Sequence, residues 1–266
     1  MAKAENLGTV ARVIALLRTL AENNHRLTLS DIAGKLGLAP STTHRLVSLL
    51  VNEGLIARDA ATKTYYCAAE FVRIASLVKH TSSITDLAQP LLEHLVERFN
   101  ETTLLCLYLE KQRRYTIVSV LHGTELLRYD VKENVPLEMP WGATARSILA
   151  YLPQEDVDAI VARADAAVTG EPPRPEVIHR ELAEIRARGY AITSGQRIAG
   201  SIGIGAPVFD MAGRVVGSVC LTIPRERFSP DRQEEYGAAL MRQAALLSQS
   251  LGYSEAAAES PRSSRS

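Results

Sequence analysis

The sequence predicts an α+β chain in two parts: three helices and a hairpin in front, then a larger domain on an antiparallel sheet. Three observations carry this. Apolar residues recur at helical spacing over residues 9–53. From residue 103 onward, apolar runs of strand length are joined by short polar turns, with helices between and outside them, which is an α+β rather than an alternating parallel pattern. Charge is also uneven. Residues 1–80 hold ten Lys/Arg against six Asp/Glu, a net +4, so the neutral chain carries −4 over the remainder. A net charge of zero taken alone argues against nucleic acid as a partner; a basic front and an acidic back suggest two domains with different partners. At 266 residues there is room for two modest cores.

The first helix is read from Val10, Val13, Ile14, Leu17 and Leu20. Ser30 is a plausible N-cap for the short helix "DIAGKLG", with Asp31 favourable in its first turn. Gly37 suits a left-handed C-terminal position, and Pro40 at the first position starts a third helix that Gly54 ends. Residues 55–58 and 64–67 read as two short strands around the turn "DAATK". Helix, short helix, turn, helix, hairpin is the order of a winged helix-turn-helix over residues 8–68. A linker helix is expected over 69–82, and the helix with Leu91, Leu92 and Leu95 opens the second domain, 83–251. Strands are expected at 103–110, 115–122, "YAIT", "SIGIGAPVF" and "RVVGSVCLTI". Helices are expected at "WGATARSILAYLP", 155–164, 176–188 and from a Ser229-Pro230-Asp231 cap to about 251. Residues 252–266 should be a disordered tail.

The third helix poses a chemical question. In "LAPSTTHRLVSLL" hydroxyls, an imidazole and a guanidinium precede the first solid apolar residue, Leu46. If the helix packs through Leu46, Val47 and Leu50, then Ser41, His44, Arg45 and Ser48 point outward near its N-terminal end; Ser41, Thr42, Thr43, His44, Arg45 and Ser48 are the candidate DNA-binding residues, Thr43 being also a candidate for the packed face. A recognition helix enters the major groove in that orientation. Hydroxyls and free N–H groups suit phosphates, and Arg reads guanine bidentately. Arg58 and Lys63 add basic groups in the wing. The competing explanation, a solvated face with hydroxyl caps, does not account for the arginine or for the preceding helix-turn.

"LTLSDIAGKLGLAPSTTHRLVSLLVNEGLIARD" closely resembles the DNA-binding domain of the IclR family of bacterial transcriptional regulators, with Thr42-Thr43-His44-Arg45-Leu46 standing for its Thr-x-His-Arg-Leu pattern. "ELAEIRARGYAITSGQRIAGSIGIGAPVFDMAGRVVGSVCLTIP" resembles the latter half of that family's effector domain, and the likeness covers residues 8–251. The resemblance implies a GAF-like effector-binding domain for small organic or aromatic acids. Its pocket would be lined around "WGATAR", at Trp141, Gly142, Ala143 and Arg146, and by the last strands. The family's acidic position falls on Thr193 or Ser194, a cysteine position on Gly203, and an alternating serine pair on Cys220 and Thr222. The chain thus lacks the carboxylate and carries small residues instead. One winged helix buries too little DNA for tight binding, so a homodimer on a two-part double-stranded operator is expected; the resemblance adds that such dimers can pair into tetramers.

Other readings fall away. Gly203-x-Gly205 lacks the helix that a dinucleotide fingerprint needs after its strand. The glycines instead thin a strand or leave room for a ligand. Trp141 reads as core or as a stacking wall. Arg146 reads as a helix-surface side chain, with pairing to a ligand carboxylate as the alternative. Cys220 on an apolar strand reads as inert core. The chain has no GxSxG and no HExxH, and its six histidines show no ligand spacing, so no catalytic residues, metal or cofactor are expected. An enzyme fused to a winged helix and an architectural DNA-binding protein are the rival classes. Cys67, Cys106 and Cys220 form no CxxC pair, which fits a reducing cytoplasm. No run reaches the length of a membrane span, so no membrane partner is expected.

Overall fold

Two units make up the computed structural model, Met1–Ser83 and Ile84–Ser266; it describes residues 8–23, 26–80, 84–129 and 131–254. In the first, α1 (Thr9–Glu22) buries Leu16 and Leu20. α2 (Leu29–Leu36) buries Ile32, Ala33 and Leu36, and α3 (Pro40–Asn52) buries Thr43, Leu46, Val47 and Leu50. β1 (Ile56–Arg58) and β2 (Tyr65–Cys67) pair antiparallel as the wing. Ile56 and Tyr65 close the same core. α4 (Ala69–His80) follows and leaves Val72, Ile74 and Leu77 exposed. Residues 81 and 82 of the expected linker lie outside the described residues.

The start of α2 differs from expectation. Thr28, not Ser30, is the N-cap. Its hydroxyl accepts from the Asp31 N–H at 3.2 Å, and the Asp31 carboxylate accepts from the Thr28 N–H at 2.9 Å. This reciprocal capping box leaves Ser30 inside the first turn. The Thr28 hydroxyl also donates to the Asp31 carboxylate at 2.7 Å, and this bond together with the one from the Thr28 N–H holds the Asp31 carboxyl below its ordinary range. At the other end Gly37 is left-handed, φ +63°, and its N–H caps Ala33 and Gly34 carbonyls.

The second unit is built on a five-stranded antiparallel sheet in the order β4-β3-β7-β6-β5. The strands are β3 (Thr102–Leu109), β4 (Arg114–Leu121), β5 (Ala191–Ser194), β6 (Ser201–Phe209) and β7 (Val215–Pro224). Alternation along β6 and β7 sorts the two faces. Ile202, Ile204, Ala206, Val219, Leu221 and Ile223 pack on α5 (Ile84–Phe99) and α9 (Gln233–Ser250). Leu104, Cys106, Tyr115, Ile117 and Cys220 face α6 (Ala143–Leu149), α7 (Gln154–Val161) and α8 (Pro175–Arg188). Gly205 lets α6 lie close: a Cβ there would sit 2.9 Å from the Ala143 carbonyl oxygen.

Two boundaries shift. Pro230–Arg232 is a 3-10 turn, Ser229 makes no side-chain cap, and the last helix begins at Gln233. Of the expected disordered tail, residues 255–266 lie outside the described residues, but Tyr253 stacks on Phe209 with centroids 5.2 Å apart. No helix among the described residues is long and apolar enough to cross a membrane.

Candidate functional site

The front unit offers an unengaged outward arc on α3. Ala39, the N-cap, has no side-chain hydrogen bond, and Pro40 occupies the first turn, so the following N–H groups stay free of side-chain caps. At 3.6 residues per turn, Ser41, His44, Arg45 and Ser48 fall within an arc of about 100°. Ser41, His44 and Arg45 are exposed, Ser48 is half-buried near the middle of the arc, and Thr42 is half-buried beyond its edge. Thr43 does not belong with them. It is fully buried, and its hydroxyl donates to the Ala39 carbonyl at 3.2 Å. Its position opposite Arg45 on the helix turns it inward.

The wing is shaped by Asp59. Its Oδ1 accepts from the N–H groups of Ala61 (2.9 Å) and Thr62 (3.1 Å), an Asx turn that leads to Lys63 in the left-handed region, φ +55°. Those backbone bonds hold the Asp59 carboxyl below its ordinary range. Arg26 pairs with Asp59 and lies 4.7 Å from the Tyr66 ring, bracing the hairpin from below. Arg58 and Lys63 remain exposed, and neither makes an ion pair among the described residues. The Asp59–Arg26 brace went unread in the sequence; the aspartate opening "DAATK" was its only local signal.

In the second unit a cavity of about 240 Å³ opens between the sheet and the start of α6. One ladder row builds its wall. Thr193 on β5 pairs with Gly203 on β6, and Gly203 pairs with Thr222 on β7. The glycine leaves a notch between two threonines, since a Cβ there would lie 3.3 Å from Ala143 Cβ and 3.5 Å from Thr193 Oγ1. Gly142, Ala143 and Thr144 form the opposite rim. Gly142 is positive in φ, +87°, and its N–H donates to Gln196 Oε1 at 3.3 Å. Leu104, Ile117 and Leu137 supply an apolar floor. Cys220 lines the cavity as well, but burial raises its thiol to about 11, so it stays protonated and is no nucleophile.

The charged lining is one-sided. Among the described residues it consists of Lys132 and Arg197, with no carboxylate. Sequence reasoning missed both, because they sit in irregular segments without periodicity.

Three expected lining residues lie elsewhere. Ser194 is exposed while its neighbour Thr193 points into the cavity, which resolves that pair by strand alternation. Trp141 is buried outside the cavity, and its indole N–H donates to the Asp165 carbonyl at 2.7 Å. Arg146 is no surface side chain. All seven residues of α6 are buried, so the helix has no solvent face, and Arg146 is 2% exposed beside Trp141.

Both units match known families. Residues 9–60 match the IclR helix-turn-helix domain and residues 76–249 the C-terminal domain of bacterial IclR transcriptional regulators. The chain belongs to the IclR family. Its IclR relatives include the HTH-type transcriptional regulator KipR of Bacillus subtilis, 28% identical over 92% of this chain and 97% of that one. An IclR transcriptional regulator from a Silicibacter species superposes with a TM-score of 0.82 at 25% identity, covering 93% of this chain and 97% of its own. An IclR homologue from Microbacterium hydrocarbonoxydans, complexed with 4-hydroxybenzoate, has the same fold, with a TM-score of 0.76 at 21% identity over 92% and 99% of the two chains. The relatives are transcriptional regulators rather than enzymes, and this IclR chain joins a helix-turn-helix DNA-binding domain to a C-terminal effector domain.

Proposed function

We propose that this regulator senses a small organic or aromatic monoacid in the cavity beside α6 and thereby controls a metabolic operon from the cytoplasm. The observation that carries this reading is the lining: two cations, Lys132 and Arg197, no carboxylate among the described residues, and an apolar floor. A carboxylate meets Arg197 or Lys132 while Thr193 and Thr222 offer hydroxyls and the carbon skeleton lies on Leu104 and Ile117. The 4-hydroxybenzoate complex of the Microbacterium homologue supports the ligand class. On DNA, Ser41, Thr42, His44, Arg45 and Ser48 face the major groove and Arg58 and Lys63 reach phosphates. One winged helix buries too little DNA for tight binding, so two protomers share a two-part operator. Exposed Ile74 and Leu77, three residues apart on α4 and so on one side of it, support a homodimer, with a dimer of dimers as the larger assembly.

The test is a calorimetric comparison of carboxylic acids with their carboxamides. Removing the charge keeps shape and should weaken binding about ten- to a hundred-fold. Acids and amides binding equally would overturn the assignment of Lys132 and Arg197 to a carboxylate.

A further inference from the structure

A second hollow adjoins the first. This polar cleft has a volume of about 540 Å³, more than twice the 240 Å³ of the α6 cavity. Four arginines line it, Arg113, Arg114, Arg163 and Arg197, against the carboxylates of Glu138 and Asp165. Two guanidiniums are already matched: Arg113 Nη2 lies 2.7 Å from Asp156 Oδ1, and Arg114 pairs with Glu138. The other two are not. Arg163 makes no ion pair among the described residues, and Arg197 reaches only the Glu138 carbonyl, at 3.4 Å.

A further cation stands behind the wall. Trp141 lines the cleft, and the Arg146 guanidinium lies 5.6 Å from its ring centroid. Arg146 is 2% exposed, and its Nε and Nη1 have no hydrogen-bond partner. Glu181 Oε2 is 3.2 Å from Nη1 but outside hydrogen-bonding geometry, and Glu181 itself is partly solvated. A buried charge so thinly compensated raises the positive potential of the wall in front of it.

We propose that this cleft is a second ligand site, sharing one lining residue, Arg197, with the α6 cavity, and that it takes a small multivalent oxyanion. Guanidinium forks match the paired oxygens of phosphoryl and carboxylate groups. A single negative charge would only repeat what Glu138 already gives Arg114. Two or more charges engage Arg163 and Arg197 together and outweigh the nearby Asp165. Phosphoryl compounds and polycarboxylates share this chemistry.

Trp141 is the only tryptophan, so intrinsic fluorescence reports on this cleft. The full chain is titrated with inorganic pyrophosphate and, separately, with citrate, each against sodium chloride at matched ionic strength. A saturable change with either anion at millimolar concentration or below is expected. The stronger of the two names the source, phosphoryl or polycarboxylate. Arg163→Gln, an exposed position, should weaken that response about tenfold or more. Thr222→Val, in the other cavity, should titrate as the unaltered chain does. No response beyond that of chloride, or a response that Arg163→Gln leaves intact, would overturn the second site.

Discussion

Arg45 and Thr43 sit two residues apart on one helix, and burial alone decides what each can do. Arg45 is exposed on the outward arc; Thr43 is sealed in the core with its hydroxyl on Ala39. Arg45→Ala should therefore leave folding intact and cost roughly 1–3 kcal/mol of operator binding, relaxing base preference at one position per half-site. Footprinting and titration at matched salt check this, and an unchanged footprint with unchanged affinity would remove Arg45 from the base-reading set. The same contrast marks what a sequence can say about single residues. The periodicity of α3 placed Leu46, Val47 and Leu50 correctly, yet it left Thr43 among the DNA-binding candidates, because a threonine's single methyl does not announce a core position. Arg146 misled for a different reason. Its reading assumed that a helix has a wet side, and α6 has none.

Elements are legible when one face meets water and the other a core. α3 and α8 follow that rule, and so do the strands of the α6 cavity, where alternation puts Cys220 and Thr222 on one face; α1 follows it only in part, because Leu16 is buried in place of the expected Val10 and Ile14, which are exposed. The cations Lys132 and Arg197 belong to loops, whose course is set by tertiary contacts such as the Gly142–Gln196 bond rather than by any repeat. Caps lie between these cases. "LTLSD" holds two hydroxyl residues, and only the reciprocal bond from Asp31 decides for Thr28. The consequence is measurable: Thr28→Ala should destabilise the front unit by about 1 kcal/mol, while Ser30→Ala should be nearly neutral. Urea midpoints for the two variants separate them; equal losses would contradict the capping box.

At the scale of the whole molecule, the α6 cavity lies within one unit and the outward arc of α3 within the other. No residue belongs to both, so the proposed function calls for a free energy of coupling between the two sites. Such coupling is reciprocal. If the effector changes operator affinity by some factor, saturating operator must change effector affinity by the same factor, typically about 5- to 150-fold. This gives a test that does not depend on whether the protein represses or activates. An acid that binds the α6 cavity is titrated calorimetrically into the full chain, alone and with excess operator duplex. The two dissociation constants should differ by the factor seen when the same acid is added to a DNA-binding titration. Effector affinity indifferent to operator would mean that occupancy of this cavity is not what the DNA-binding domain responds to, even if the acid binds there tightly.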